Sequence, residues 1–212
     1  MHVPRATDLG AGRETALIVV DPQVDFVEGG ALGVAGGQAV LARVAEHLRL
    51  DHGCYGARCH SRDWHVAPGP HFASTTGSAP DFVETWPDHC VAGTTGANVH
   101  PVVAQEIDAY VEAEFHKGET TAAYSAFEAV LASDGSTTLD EWLHERQIRR
   151  LVVAGLATDY CVRATALDGL ARGYEVVIPV ALCAGVHPES SEAALREAAA
   201  AGAQVLDSSN GN

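Results

Sequence analysis

Four side chains of metal-ligand type lie close together in this sequence: Asp63 and His65 in R-D-W-H, His71 in P-G-P-H-F and His89 in W-P-D-H-C. A carboxylate combined with imidazoles suits a borderline divalent cation such as zinc, ferrous iron or manganese. A single histidine in a polar loop is ordinarily solvated, but four ligand types in one segment punctuated by Pro and Gly can fold back on one centre. Asp63 and His65 are two positions apart, so in extended chain both point to the same side. The cluster predicts a metal site; neighbouring His60 is left out because it reads as strand.

Three further residues could carry covalent and proton-transfer chemistry. Cys161 stands in G-L-A-T-D-Y-C-V-R, where an apolar strand passes through a Gly-containing turn into the first turn of a helix. Free amides and the helix dipole at such a start lower a thiol pKa and can receive a developing oxyanion. A thiol nucleophile needs a base, and no histidine adjoins Cys161 in sequence. Asp21 closes the apolar run A-L-I-V-V, where a low-dielectric setting raises a carboxyl's proton affinity. Lys117, after Tyr110, Val111 and Phe115 and before Gly118, could orient Asp21 and bias its charge.

These residues need elements to hold them. The runs at 16–20, 151–154 and 176–180 are short, apolar and β-branched, the pattern of strands buried on both faces. Residues 38–50 put Val40, Leu41, Val44 and Leu48 on one helical stripe, and 161–172 do the same with Val162, Thr165, Ala166 and Leu170. An alanine-rich final helix is expected at about 190–201 and a frayed tail at 208–212. Alternating strand and helix predicts a parallel sheet with helices on both faces and ligand sites beyond the carboxyl ends of its strands. Asp21, Asp63 and Cys161 then converge on one rim, with Asp63 following a second strand at 55–60. That strand is the least regular, since G-C-Y-G-A-R-C-H interrupts it with glycine and Arg58. Residues 61–100, rich in Pro, Gly, Ser, Thr and His, exceed an ordinary connection and read as a metal-binding loop region.

The 212 residues suffice for one sizeable core and show no linker, so residues 1–212 are expected to form a single domain. Formal net charge is −15, from 13 basic and 28 acidic residues, with no Lys/Arg-rich patch. That balance argues against a nucleic-acid partner and fits a small-molecule substrate. The first residues lack a basic start followed by an apolar segment, and no apolar run approaches the ~20 residues that span a bilayer. No membrane partner and a cytoplasmic location are therefore expected. Five cysteines without C-x-x-C spacing make a disulfide framework a poor expectation and leave room for a working thiol.

Taken together, the motifs resemble the nicotinamidase/pyrazinamidase branch of the isochorismatase-like cysteine hydrolases. The resemblance rests on V-D-P-Q-V-D-F-V-E-G-G-A-L at 20–32, S-R-D-W-H at 61–65, W-P-D-H-C-V-A-G-T-T-G-A at 86–97, F-H-K-G-E-T-T-A-A-Y-S-A-F-E at 115–128 and G-L-A-T-D-Y-C-V-R-A-T-A at 155–166. Each fragment is moderately specific; their joint occurrence in this order is very specific. The resemblance implies an α/β fold, a single-domain three-layer α/β/α with a mostly parallel, roughly six-stranded doubly wound sheet. It implies a catalytic Asp21, Lys117 and Cys161, a divalent metal on Asp63, His65 and His89, and His71 as a fourth ligand in some members. It further implies an oxyanion hole from the backbone amides of Ala157 and Cys161, with a cis bond between Leu156 and Ala157. Phe26, Trp86 and Tyr124 fall on aromatic pocket-wall positions, and Tyr160 on a position at the entrance. The implied reaction is hydrolysis of nicotinamide, and of pyrazinamide, through a cysteine thioester with release of ammonia.

Two rivals stand beside this reading. One is a related amidohydrolase acting on a ureido or N-carbamoyl compound with the same three catalytic residues; the other is a non-catalytic metal- or ligand-binding module that keeps the fold. The sequence leaves open which of zinc, iron or manganese binds, whether His71 touches it, and whether the chain forms a homo-oligomer.

Overall fold

The computed structural model describes residues 3–66, 69, 71–77, 79–82 and 85–207. The tail expected at 208–212 lies outside them. In chain order the elements are β1 (Thr15–Val20), α1 (Gly37–Asp51), β2 (Ala57–Asp63), α2 (Ala73–Thr76), α3 (Pro101–Tyr110), β3 (Ala113–Lys117), β4 (Val130–Leu131), α4 (Leu139–Glu145), β5 (Arg150–Leu156), α5 (Arg163–Ala171), β6 (Glu175–Pro179), β7 (Cys183–Ala184), α6 (Pro188–Ala201) and β8 (Gln204–Leu206).

The strands form one sheet in the order β4-β3-β2-β1-β5-β6-β8, parallel throughout except for the β3–β4 pair, with β7 alongside the end of β5. Eight strands replace the roughly six expected among the described residues. β4, β7 and β8, of two or three residues each, are too short to leave a periodic signature.

β1 and β5 sit at the centre because their side chains are apolar in both directions. Ala16, Ile18, Val20, Leu151 and Val153 face a layer holding Leu139, Trp142 and Leu143 of α4, Ala166 of α5 and Ala198 of α6. Leu17, Val19, Val152 and Ala154 face the opposite layer, with Val40, Leu41, Val44 and Leu48 of α1 and Val103 and Ile107 of α3. The chain winds outward from β1 through β2 and β3, then returns to the other side of β1 for β5. The carboxyl ends of β1 and β5 therefore flank the switch point where open α/β sheets bind ligands. Gly155 permits their close approach: its φ is +121°, and an added Cβ would lie 2.2 Å from the Val20 carbonyl oxygen.

Two boundaries differ from expectation. β2 runs Ala57–Asp63 rather than 55–60, so Asp63 is its last residue and does not follow it. The strand is polar because Arg58 and Arg62 have fixed partners: Arg58 donates to the carbonyls of His52, Tyr55 and Tyr110, and Arg62 to that of Ala97 and to Glu114 of β3. Cys161 lies in a π-helical turn, Thr158–Val162, not in the first turn of an α-helix. The Val162 amide reaches back to the Ala157 carbonyl at 3.1 Å, which inserts an extra residue before α5 begins. Beyond β2, the region to residue 100 holds little regular structure among the described residues, but it is pinned by bridges pairing His65 with Val91 and Phe72 with Trp86.

Candidate active site

Asp21 directly follows β1 with a φ of +46°, the left-handed region that is uncommon for a residue with a side chain. The turn directs its carboxylate back against the sheet end, where Ser61 Oγ donates to Oδ1 at 2.7 Å. Lys117 closes β3 and is 1 % exposed. Its Nζ lies 2.9 Å from Asp21 Oδ2 and 3.6 Å from Cys161 Sγ, and it also donates to Asp63 Oδ1. Asp21, Lys117 and Cys161, drawn from three strand ends, thus meet in one buried cluster. Lys117 also joins them to the metal-ligand residues, a link that no sequence spacing suggested.

Burial dominates the electrostatics. It raises the Asp21 pKa above the usual carboxylate range, against the opposing pull of Lys117. It pushes the Cys161 thiol well up, with Lys117 drawing it partly back, so the resting thiol keeps its proton. For Lys117 burial works against the charge, but Asp21 and Asp63 outweigh it and hold the ammonium. Burial likewise opposes the Asp63 charge and is overcome by Lys117 and the imidazoles, leaving that carboxyl below its ordinary range.

Asp63 divides its two oxygens. While Oδ1 meets Lys117, Oδ2 faces Nε2 of His65 at 3.8 Å and Nε2 of His89 at 3.7 Å. Donor atoms of these three buried residues all lie within 4.8 Å of one another. They are too far apart to hydrogen bond, yet close enough to share an ion. His65 Nε2 has no hydrogen-bond partner among the described residues, a costly state for a buried ring nitrogen unless something else occupies its lone pair. Burial lowers the His65 pKa to about 4, keeping the imidazole in the neutral form that metals bind. The donor set fits a divalent cation. His71 is buried next to the trio, its ring centroid 4.9 Å from that of His65, and neither of its ring nitrogens has a hydrogen-bond partner among the described residues. It stands outside the compact three-donor group.

A cavity of about 230 Å³ opens over these groups and is lined by Cys161, Ala157, Asp63 and the three histidines. Its remaining wall is apolar. Phe26, Trp86, Tyr124 and Tyr160 all contribute, with the Trp86 and Tyr160 rings edge-on at 5.4 Å and Tyr124 stacked on Tyr160 at 6.1 Å. The Leu156–Ala157 peptide is cis. Sequence reading did not single out Ala31, Leu32, Phe82, Ala123 or Val186 as lining residues, because apolar loop positions carry no chemical signature. It also passed over the supports of the site: Ser61, Gln23, Asp25 and Asp159. Their work is done on main-chain atoms or on partners remote in sequence.

Residues 15–210 match the model of the isochorismatase domain. The chain is 41 % identical to the nicotinamidase/pyrazinamidase of Mycobacterium tuberculosis over 194 residues, covering 92 % of this chain and 99 % of that protein. Among solved structures it is similar to PnC1 from L. infantum in complex with nicotinate, with a TM-score of 0.76, 33 % identity and coverage of 94 % and 96 % of the two chains. It is similar also to the pyrazinamidase of Pyrococcus horikoshii in complex with zinc, with a TM-score of 0.71, 33 % identity and coverage of 92 % and 99 %. The sheet order, the strand-end cluster and these likenesses agree, and the chain belongs to the isochorismatase domain family.

Proposed function

We propose that this chain is a metal-dependent nicotinamidase, hydrolysing nicotinamide to nicotinate and ammonia and accepting pyrazinamide. The observation that carries the reading is Lys117, whose one amine is paired with Asp21 and Asp63 and lies beside Cys161 Sγ. It joins a nucleophile and base to a set of metal donors under a single apolar cavity. Relatives named nicotinamidase and a similar structure holding nicotinate support the substrate; one holding zinc supports the metal. The donor set suits zinc, iron or manganese, with His71 as a fourth ligand through a free ring nitrogen.

Bound at Asp63, His65 and His89, the cation supplies a Lewis-acid anchor for an aromatic ring nitrogen. The chain's own residues perform the covalent steps. Asp21 takes the Cys161 proton, and the sulfur attacks the carboxamide carbon. The amides of Ala157 and Cys161 receive the developing oxyanion. Asp21 returns the proton to the departing nitrogen, which leaves as ammonia and gives a thioester on Cys161. Asp21 then draws a proton from water, whose oxygen attacks the thioester; carboxylate and thiol are regenerated. Lys117 keeps Asp21 oriented between transfers, and Phe26, Trp86, Tyr124 and Tyr160 enclose a flat ring and exclude bulk water. Among the described residues no Lys or Arg lines the cavity, and the wall that would enclose a ring is apolar. We read residues 1–212 as one domain.

Ammonia release from nicotinamide, pyrazinamide and benzamide tests the reading. Nicotinamide and pyrazinamide should turn over, benzamide roughly 10²-fold or more slowly for want of a ring nitrogen, and Cys161→Ala should lose ~10³-fold or more. Normal turnover by Cys161→Ala would sink the mechanism, and equal use of benzamide would remove the anchoring role.

A further inference from the structure

β1 stops pairing with β2 too early to support the residue that matters most on β2. The ladder between them ends near Val19 and His60, followed by a single further bond from the Asp21 amide to the Ser61 carbonyl. Asp21 then turns into the left-handed region, and Pro22 has no amide to donate. The β1-facing main chain of Asp63 would be left unpaired. A side chain takes the place of the missing rung. Gln23, 0 % exposed, accepts from the Asp63 amide through Oε1 at 2.8 Å. Through Nε2 it donates to the Asp63 carbonyl at 2.8 Å and to the Ala97 carbonyl at 3.0 Å.

Two residues on, Asp25 does the equivalent for another ligand segment. Its Oδ2 accepts from the Cys90 amide at 2.7 Å, and its own amide donates to the Gly96 carbonyl at 3.0 Å. Gly96 leaves room for this carboxylate, since a Cβ there would lie 2.1 Å from Oδ2. Cys90, with a φ of +46°, presents its carbonyl the other way and accepts from the His65 amide at 3.1 Å. The main chain of Asp63 and of Cys90 is thereby tied by the side chains of Gln23 and Asp25 to the segment that begins with Asp21, and His65 is tied to it through Cys90.

We propose that Gln23 and Asp25 are positioning residues for the metal site: they fix the ligand-bearing main chain of Asp63 and of the His89–Cys90 segment to the strand end that carries Asp21. The inference rests on the metal reading above. Groups behind the ligands hold donor geometry, and losing them typically weakens metal binding by ~10–100-fold. Gln23→Met keeps volume and removes every side-chain hydrogen bond; Asp25→Asn keeps an acceptor and removes the charge.

The test is the dissociation constant for zinc and for cobalt(II), measured on the full chain by chelator competition, with the cobalt d–d spectrum as a readout of ligand geometry. Gln23→Met should bind both ions ~10–100-fold more weakly, with a shifted cobalt spectrum. Asp25→Asn should show a smaller loss of the same sign. A role confined to stability would lower the unfolding midpoint and leave affinity and spectrum unmoved, and that result overturns the inference. If Gln23→Met does not fold, Asp25→Asn decides, and wild-type affinity and spectrum in that variant overturn the inference. Absence of stoichiometric metal binding by the wild-type chain would instead defeat the metal reading itself, which separates the two failures.

Discussion

Lys117 shows how far one residue's setting can depart from its sequence prior. A lysine before a glycine is ordinarily a solvated cation, yet this one is buried between two carboxylates. At an effective dielectric of about 20 an ion pair near 3 Å gains roughly 5 kcal/mol, which only about offsets the several kcal/mol of desolvation per ion. The arrangement therefore holds together as a set and fails when one member goes. Lys117→Met should strand Asp21 and Asp63 and cost about 3–5 kcal/mol of unfolding free energy in metal-free protein, read from urea midpoints. A midpoint within experimental error of wild type would show the carboxylates compensated elsewhere. The clustered donor-type residues Asp63, His65 and His89, with His71 beside them, could be picked out from sequence because ligand chemistry is written in residue type and short spacing. Gln23 and Asp25 could not, since an amide or carboxylate that binds remote main chain leaves no spacing to read.

At the scale of elements, the π-helical turn carrying Cys161 needs an external brace, because it breaks the regular ladder at the point where α5 starts. Asp159 supplies one. Its carboxylate accepts from the Val186 amide at 2.9 Å, the His187 amide at 3.2 Å and Ser190 Oγ at 2.5 Å, tying the nucleophile's turn to the start of α6. Val186 lines the cavity, so the same clamp sets part of the pocket wall. Asp159→Ala leaves two loop amides without their acceptor and should cost about 1–3 kcal/mol of stability. It should also raise KM and lower kcat, because the Val186 wall and the turn that carries Cys161 lose the same clamp while Asp21 and Lys117 keep their places. Steady-state kinetics with nicotinamide and urea unfolding measure both, and an unchanged KM would refute the wall effect. Legibility at this scale followed burial. β1, β5, β6 and α1 were readable because an apolar run or stripe records contact with the core on one or both faces. β2 was blurred because Arg58 and Arg62 are satisfied by carbonyls and by Glu114 rather than by water. The π-helical turn was invisible, since one inserted residue does not disturb the hydrophobic pattern that follows it.

Across the whole molecule, a net charge of −15 makes acid the informative perturbation, because protonation relieves general repulsion while breaking particular pairs. One such pairing fastens the segment before β1, whose Val3, Ala6 and Leu9 are buried, to the end of α1. Asp51 accepts from Arg5 Nε at 2.9 Å and from the Ala6 amide at 2.9 Å, and Arg5 holds its carboxyl below the ordinary range. Beside it His47 is buried, its ring pKa lowered by burial, with Nδ1 2.9 Å from the Pro4 carbonyl and Nε2 2.7 Å from the Tyr55 hydroxyl. Among the described residues, Arg5, Asp8, Cys54 and Tyr55 are the other titratable groups around this pair. Both pKa values are depressed on folding, so the unfolded chain binds more protons and acid favours unfolding. The His47 contribution is complete above about pH 6.5 and is lost as pH falls toward its folded value; the Asp51 contribution is complete above about pH 4 and is lost below. Because Arg5 is half exposed, solvent screens the pairing and its contribution is small. Asp51→Asn should therefore be less stable than wild type at pH 7, with the gap narrowing as pH falls below about 4. Urea titrations at a series of pH values measure the gap, and a difference that stays constant from pH 7 to pH 3 would show that the Asp51 charge does not hold this segment down.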